Sequence, residues 1–327
     1  MIINQLRKFT PVNILLVSII GTFLCLGALF HLPDHIDPLI FEPAVNNLLG
    51  IKIGFGLSPL NNLMTTLVLT LLQAFLLNKV INHFNFFTKP NFLVALMFMT
   101  LVSLFLPFLI LSPTLICNFI TILMLGKLFN IYKQPDVKGL MFDLGMIVAL
   151  GSFIYFPFMV MLILLWIALI IFRPFLWREW VTPLLGFSTI YFLMGVVYFW
   201  FDRFEEFKAI FSPFANSLPT SLSVDVNDYF VIIPIAIALL FFLITLREHY
   251  FRSIVQIRKS FQLLFYMVAL IFASFYLNEH ITINHFLLCA PPLAIYLAYY
   301  FTYAKSKWLY EGLYLIIIVA ILYFQLT

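Results

Sequence analysis

Long apolar stretches, each about as long as a membrane-spanning helix, follow one another along almost the whole chain. An apolar run of about 20 residues is long enough to cross the hydrocarbon core of a bilayer as a helix. Proline, asparagine and charged residues separate the runs, as they do where helices begin and end. The pattern predicts an all-α, polytopic integral membrane helix bundle of about eleven transmembrane helices, near residues 12–32, 58–79, 91–111, 113–132, 138–155, 157–173, 180–201, 229–247, 260–279, 283–304 and 308–326.

The composition agrees with this pattern and excludes an ordinary soluble domain. Of the 327 residues, 64% are hydrophobic and 10% are charged, and the mean hydropathy is +1.08. Soluble domains carry about 25% charged residues. We therefore expect residues 1–327 to form a single transmembrane domain. The three cysteines lie in separate apolar runs without a CxxC pair, so they are predicted to pack as small apolar side chains.

The basic residues are distributed unevenly between the two sides of the predicted bundle. If the N-terminus is cytoplasmic, fifteen of the 18 lysines and arginines fall on the inner side. Lys52, Arg203 and Lys208 fall on the outer side, together with most of the acidic residues. An inner excess of Lys and Arg sets the orientation of membrane proteins. The net charge of +4 therefore reflects orientation, and the expected partners are membrane lipids and no nucleic acid.

Two predicted outer loops, 33–57 and 202–228, are long enough to carry structure of their own. The first contains an amphipathic stretch that could form a short helix along the membrane surface. In the second, Phe204, Phe207 and Phe211 recur at helical spacing with charged residues between them. Both are predicted to form interfacial helices, which either seal the edge of the bundle or belong to a functional site.

The first outer loop also gathers charge in a chain that has little of it. The sequence "HLPDHIDPLIFEPAVNN" begins at His31 and contains Asp34, Asp37 and Glu42. A carboxylate at a membrane–water boundary can accept a proton or bind a divalent cation. These residues are therefore candidates for catalysis. The alternative is that the loop is polar only because it faces water.

Four histidines are expected on or near the same outer face: His31, His35, His280 and His285. Imidazole nitrogens at one depth could bind a transition metal, although the spacing matches no short metal-binding motif. Histidine is also common at membrane interfaces. A divalent metal is thus the one cofactor for which the sequence offers candidate ligands.

Other polar residues lie inside the predicted helices. Asp143 is expected to reach water at the inner boundary or to pair with Lys138. Gln73 and Asn118 are predicted to form hydrogen bonds between helices.

The stretch 113–171 resembles the core of the GT-C superfamily of polytopic glycosyltransferases. It begins "PTLICNFITILMLGKLFNIYK", a proline-led helix that ends in basic residues. A helix with Gly139, Gly145 and Gly151 follows, then the turn "SFIYFP" and another apolar helix. The resemblance implies a GT-C-like fold that transfers sugars from polyprenyl-phosphate lipids in envelope biogenesis.

The same resemblance implies roles for residues of the outer loops. Asp34 or Asp37 would be the catalytic base that takes the proton of the acceptor hydroxyl. Lys52 or Arg203 would bind the phosphate, and Glu42 would belong to the same substrate site. The chain departs from the superfamily pattern in its second outer loop, "LSPT", which carries no carboxylate.

The whole chain also looks like an uncharacterised family of membrane proteins from Bacteroidota-type bacteria, some of which bear a carotene-oxygenase name. This resemblance implies a multi-pass protein of the bacterial inner (cytoplasmic) membrane. Four functions stay open at this point. They are a glycosyltransferase, a non-enzymatic scaffold or lipid-binding assembly factor with a membrane-protein partner, a transporter or flippase, and a histidine-metal oxygenase.

Overall fold

A computed structural model describes residues 2–30, 58–209, 226–249, 254–275 and 283–326, and the regular structure in these residues is helical without any strand. Short 3₁₀ helices occupy Leu106–Leu109, Ile131–Lys133, Phe156–Val160 and Ile283–Cys289. The α-helices are α1 (Ile2–Leu6), α2 (Val12–Leu24), α3 (Leu26–Phe30), α4 (Pro59–His83), α5 (Leu93–Val102), α6 (Pro113–Asn130), α7 (Lys138–Ile154), α8 (Met161–Phe172), α9 (Trp177–Trp200), α10 (Phe204–Ala209), α11 (Val226–His249), α12 (Val255–Ser274), α13 (Ala290–Tyr303) and α14 (Lys307–Leu326).

The predicted all-helical, multi-pass architecture is confirmed. Each of the predicted helical segments overlaps a helix of the structure. Within the described residues, seven helical segments are long and apolar enough to cross a membrane. The multi-pass bundle is therefore confirmed, whereas the number of about eleven spans is not. The seven are Val12–Phe30, Pro59–His83, Pro113–Asn130, Trp177–Trp200, Val255–Ser274, Ile283–Tyr303 and Lys307–Gln325.

Serine–proline pairs start two of the long helices. Ser58 and Ser112 each precede the first helical residue, and their hydroxyls accept the backbone N–H groups of Asn61 and Leu115. A serine at this position satisfies an N–H group that the helix itself leaves unpaired. A proline at the first helical position gives up no hydrogen bond there.

The short helix α5 lies at the centre of the bundle. Every residue from Leu93 to Val102 is buried, and the helix packs against α2, α4 and α13. Its ten residues span only about 15 Å, so the 3₁₀ turn with Pro107 continues its path. A helix that is apolar on all sides is stable only where it is surrounded.

Two glycines bring α7 and α9 into backbone contact. A Cβ atom on Gly145 would collide with the carbonyl oxygen of Pro183, and one on Gly186 would collide with the carbonyl oxygen of Phe142. Helices in a membrane associate through such close packing, because lipid supplies no hydrophobic drive between them. These two glycines therefore fix the position of α9 on the bundle.

The two ends of the bundle are defined by the helix α12. Arg258 lies in its first turn, whereas Ser274, at its last turn, contacts His285. The amide of Gln256, near Arg258, donates to the carbonyl of Phe129 at the end of α6 over 3.1 Å. We call these the Arg258 end and the His285 end.

Positive charge gathers at the Arg258 end. Arg203 and Lys208 follow the last turn of α9 at the His285 end. This division agrees with the predicted inner and outer sides, while the orientation in the cell stays a prediction. The described cations at the Arg258 end are Arg7, Lys8, Lys79, Lys89, Lys127, Lys138, Arg173, Arg178, Arg247, Arg258, Lys259, Lys305 and Lys307.

Of the two alternatives for Asp143, pairing with Lys138 is wrong, whereas its side chain does reach the surface, being 46% exposed. Asp143 Oδ2 lies 2.7 Å from Lys127 Nζ on α6, and Lys138 pairs with Asp136 at 3.1 Å. Residues five apart point about 140° away from each other around a helix, so Lys138 and Asp143 do not share a face. The backbone N–H and the ammonium group of Lys138 lower the pKa of Asp136.

The hydrogen bonds predicted for Gln73 and Asn118 are confirmed. Gln73 Nε2 donates to the Leu115 carbonyl over 2.7 Å, and Asn118 Nδ2 donates to the Leu287 carbonyl over 3.2 Å. Both bonds join separate helices. Within 202–228, the structure describes the short helix α10, whose Phe207 packs against α9; its interfacial position stays a prediction. Loop 33–57 and residues 210–225 lie outside the described residues.

Candidate functional site

Most of the predicted site residues lie outside the described part of the chain, and only Arg203 and His285 fall within it. Arg203 is exposed and directly follows α9, where its backbone N–H donates to the carbonyl of Tyr198 over 2.9 Å. It lies at the His285 end, as predicted for an outer residue. The residues outside the description are His31, Asp34, His35, Asp37, Glu42, Lys52 and His280.

His285 is buried among polar partners from two distant segments. Its Nδ1 lies 2.7 Å from the Tyr155 hydroxyl, and its Nε2 lies 2.8 Å from the Ile271 carbonyl and 3.3 Å from the Ser274 hydroxyl. A carbonyl can only accept, so the hydrogen-bond network assigns the proton to Nε2. Nδ1 then accepts a hydrogen bond from the Tyr155 hydroxyl. This arrangement holds a neutral imidazole in one tautomer.

The network at His285 leaves no ring nitrogen for a metal without rearrangement. A metal ligand must offer a lone pair, and the one on Nδ1 is used by Tyr155. Among the described residues, no group of three His, Cys, Asp or Glu side chains could hold a metal ion. The four-histidine site also needs His31, His35 and His280, which are not described, and it stays a prediction.

Four polar residues form what we call the polar seam: Asn62, Thr66 and Gln73 on α4, and Asn118 on α6. All are buried. The three α4 residues lie within about 40° of one another around the helix, so they share one face. Asn62 Oδ1 accepts the backbone N–H of Leu111 over 2.9 Å, just before α6 begins. The polar seam lies toward the His285 end, because Asn118 bonds to the 3₁₀ helix that contains His285.

A cavity of about 460 Å³ opens between α11 and α12, toward the Arg258 end. We call it the α11–α12 groove. Its volume is within the range of small-molecule sites. Its lining is aliphatic and aromatic apart from one arginine and one glutamine. The lining residues are Ile171, Leu239, Phe242, Leu243, Leu246, Arg258, Phe261, Gln262, Phe265, Tyr266, Leu293 and Tyr296.

Stacked aromatic rings form the floor of the α11–α12 groove. The ring of Tyr296 lies 4.5 Å from that of Phe242 and 5.9 Å from that of Phe261, centroid to centroid. The Tyr296 hydroxyl donates to the Phe261 carbonyl over 3.1 Å. A molecule in the groove would therefore contact ring faces and not a free hydroxyl. Such a surface accepts an apolar chain.

The α11–α12 groove opens sideways. Leu243, Phe265 and Tyr266 line it and are 56%, 64% and 44% exposed. Large apolar side chains with this exposure face lipid in a membrane-spanning bundle. A lipid could therefore enter the groove from the bilayer without passing through water.

Sequence reasoning missed the α11–α12 groove, although α12 carries a signal of it. Arg258, Phe261, Gln262, Phe265 and Tyr266 recur at the i, i+3, i+4, i+7, i+8 spacing of one helix face. All five line the groove. In the sequence, Arg258 counted only as one of the basic residues that set orientation, because the partner face on α11 could not be identified.

Comparisons with known proteins give a family but no function. No curated protein and no solved structure matches the chain. These two comparisons therefore do not test the resemblance to the GT-C superfamily. One family model matches residues 47–327, and it is described as a family of unknown function, DUF6427. This match covers most of the chain, which therefore belongs to the DUF6427 family.

Proposed function

We propose that this membrane protein binds the hydrocarbon chain of an anionic lipid in the α11–α12 groove. The observation that carries the proposal is a laterally open, aromatic-floored groove with a single charged residue, Arg258, among its described lining residues. The role that fits is a lipid-binding assembly factor of the cell envelope. A polyprenyl phosphate is the first candidate ligand.

The dimensions of the α11–α12 groove suit a lipid that lies along α12. Arg258 and Tyr266 are eight residues apart on this helix, a rise of about 12 Å. The chain would run along Phe261 and Phe265, toward the middle of the bundle. A hydrocarbon chain in the bilayer is already out of water. The free energy gained by its burial against these rings therefore comes from packing contacts and not from the hydrophobic effect.

The charge in the α11–α12 groove suits a phosphate headgroup. A guanidinium group can donate two parallel hydrogen bonds to a phosphate, and Gln262, one turn along, offers a further N–H donor. Arg247 and Lys259 lie at the same end of the bundle and add positive potential there. The first turn of α12 contributes the positive end of the helix dipole.

Arg258→Gln is expected to weaken the binding of polyprenyl phosphate by about tenfold or more, since a charge-assisted hydrogen bond contributes about 1.5–3 kcal/mol. Titration of the purified protein with undecaprenyl phosphate, followed by native mass spectrometry, measures the dissociation constants. Arg178→Gln is the control, because Arg178 is an exposed arginine at the same end that does not line the groove. Equal affinities of the two variants would contradict the proposal.

Glycosyl transfer is the second function that we propose to test. The proline-led helix α6, the glycine-containing helix α7 and the apolar helix α8 follow in the order that the GT-C resemblance requires. Arg203 lies at the His285 end, whereas Arg258 lies at the opposite end. The groove is therefore a second lipid site, separate from the phosphate site that the resemblance implies.

An enzyme of this type predicts that Asp34→Asn or Asp37→Asn abolishes sugar transfer while the protein accumulates normally. Transfer from a radiolabelled polyprenyl-phosphate sugar in membranes is the measurement. Asp136→Asn is the control, because Asp136 lies in the loop before α7, at the Arg258 end. If membranes with the wild-type protein transfer no more sugar than membranes without it, the lipid-binding role stands alone.

A further inference from the structure

We infer that the polar seam holds ordered water molecules inside the bundle. Three of its side-chain oxygens, Thr66 Oγ1, Gln73 Oε1 and Asn118 Oδ1, have no hydrogen-bond partner within the described structure. All three residues are 0% exposed. Water bound at these oxygens would be a site of the protein independent of the α11–α12 groove.

The orientation of the two amides is fixed, so the oxygens without partners are not an error of assignment. The NH₂ groups of Gln73 and Asn118 donate to the backbone carbonyls of Leu115 and Leu287. Turning either amide around would place its oxygen against a carbonyl oxygen. Each amide oxygen therefore faces away from these carbonyls and requires a hydrogen-bond donor.

The energetics favour a bound donor at these oxygens. A buried polar atom without a partner costs about 1–3 kcal/mol, and three side-chain oxygens of the polar seam are in this state. A buried water typically makes about three hydrogen bonds and removes this cost. Thr70, one turn beyond Thr66 on α4, shows the usual solution, because its hydroxyl donates to the Leu67 carbonyl within the helix. Thr66 has no such bond in the described structure.

The position of the polar seam also favours water. Next to it, α6 begins at Pro113 after an irregular segment, and the 3₁₀ helices Leu106–Leu109 and Ile283–Cys289 contact each other. Non-helical backbone in a membrane protein occurs where it is buried in protein or lines a water-filled cavity. The acceptors at the polar seam are neutral, so they select donors such as water and do not attract anions.

X-ray hydroxyl-radical footprinting of the full-length protein in lipid nanodiscs tests this inference. Radicals formed from ordered water oxidise the side chains beside that water, even when they are buried. Leu115 is expected to be oxidised several times faster than Leu165 on α8, because both leucines are 0% exposed and the carbonyl of Leu115 accepts the amide of Gln73 in the polar seam. Equal rates at the two leucines would overturn the inference.

A near-isosteric substitution provides a second test that preserves the fold. Thr66→Val removes one of the proposed water ligands, and the oxidation rate of Leu115 is expected to fall toward that of Leu165. Thr70→Val is the matched control, because the hydroxyl of Thr70 is already satisfied within α4. A fall of the same size in both variants would show that the rate reports loosened packing, and it would overturn the inference.

Discussion

Gly145→Ala is expected to destabilise the folded protein by about 3 kcal/mol, the upper part of the range for overpacked substitutions. The added methyl group would collide with the carbonyl oxygen of Pro183, and the neighbouring atoms are also backbone, including the amide nitrogen of Phe187. Backbone cannot move aside as the tip of a side chain can. The helices α7 and α9 would have to separate, and thermal unfolding of the purified protein in detergent measures the loss.

Gly139→Ala is the matched control for this prediction. Gly139 lies on the same helix, but a methyl group there would meet no atom within 4 Å. Alanine is the better helix former by up to about 1 kcal/mol, so Gly139→Ala is expected to leave stability unchanged or to raise it. If the two alanine variants unfold at the same temperature, the glycine contact does not hold α9 in place. Gly186→Ala should repeat the effect of Gly145→Ala, because its methyl group would meet the carbonyl of Phe142.

The helices of this protein could be predicted from the sequence because a membrane leaves the backbone little choice. Each N–H and C=O group must be satisfied within the segment, so an apolar run of sufficient length becomes a helix. Proline marked the ends well, as at Pro113 and at Pro157, which follows the end of α7. Contacts between helices could not be predicted in this way, since nothing in the sequence around Gly145 indicates that Gly186 lies opposite it.

The candidate sites show the same division between local and distant information. The stripe of Arg258, Gln262 and Tyr266 on α12 is visible in the sequence, but a groove requires the facing surface of α11. The sequence offered Asp143 only Lys138 as a nearby partner, whereas Lys127 on the preceding helix is the residue with which it pairs. Interactions set by packing between helices cannot be obtained from one segment alone.

His285→Leu is expected to destabilise the protein by about 3 kcal/mol, because it removes two short hydrogen bonds from a buried site. The substitution takes away the acceptor of the Tyr155 hydroxyl and the N–H donor to the Ile271 carbonyl. It also disconnects the end of α7 from α12 and from the 3₁₀ helix of His285. Thermal unfolding of the variant, beside Tyr155→Phe and the double variant, measures the effect.

The double variant separates the hydrogen bond from the packing of the two rings. If the Tyr155–His285 bond carries the effect, the double variant loses less stability than the sum of the two single variants, by about 0.5–3 kcal/mol. Metal analysis of the same samples decides between this structural role and the four-histidine site. A stoichiometric transition metal in the wild-type protein, lost in both His285→Leu and His31→Leu, would show that His285 is a ligand. Without such a metal, the loss of stability in His285→Leu belongs to the network of Tyr155, Ile271 and Ser274.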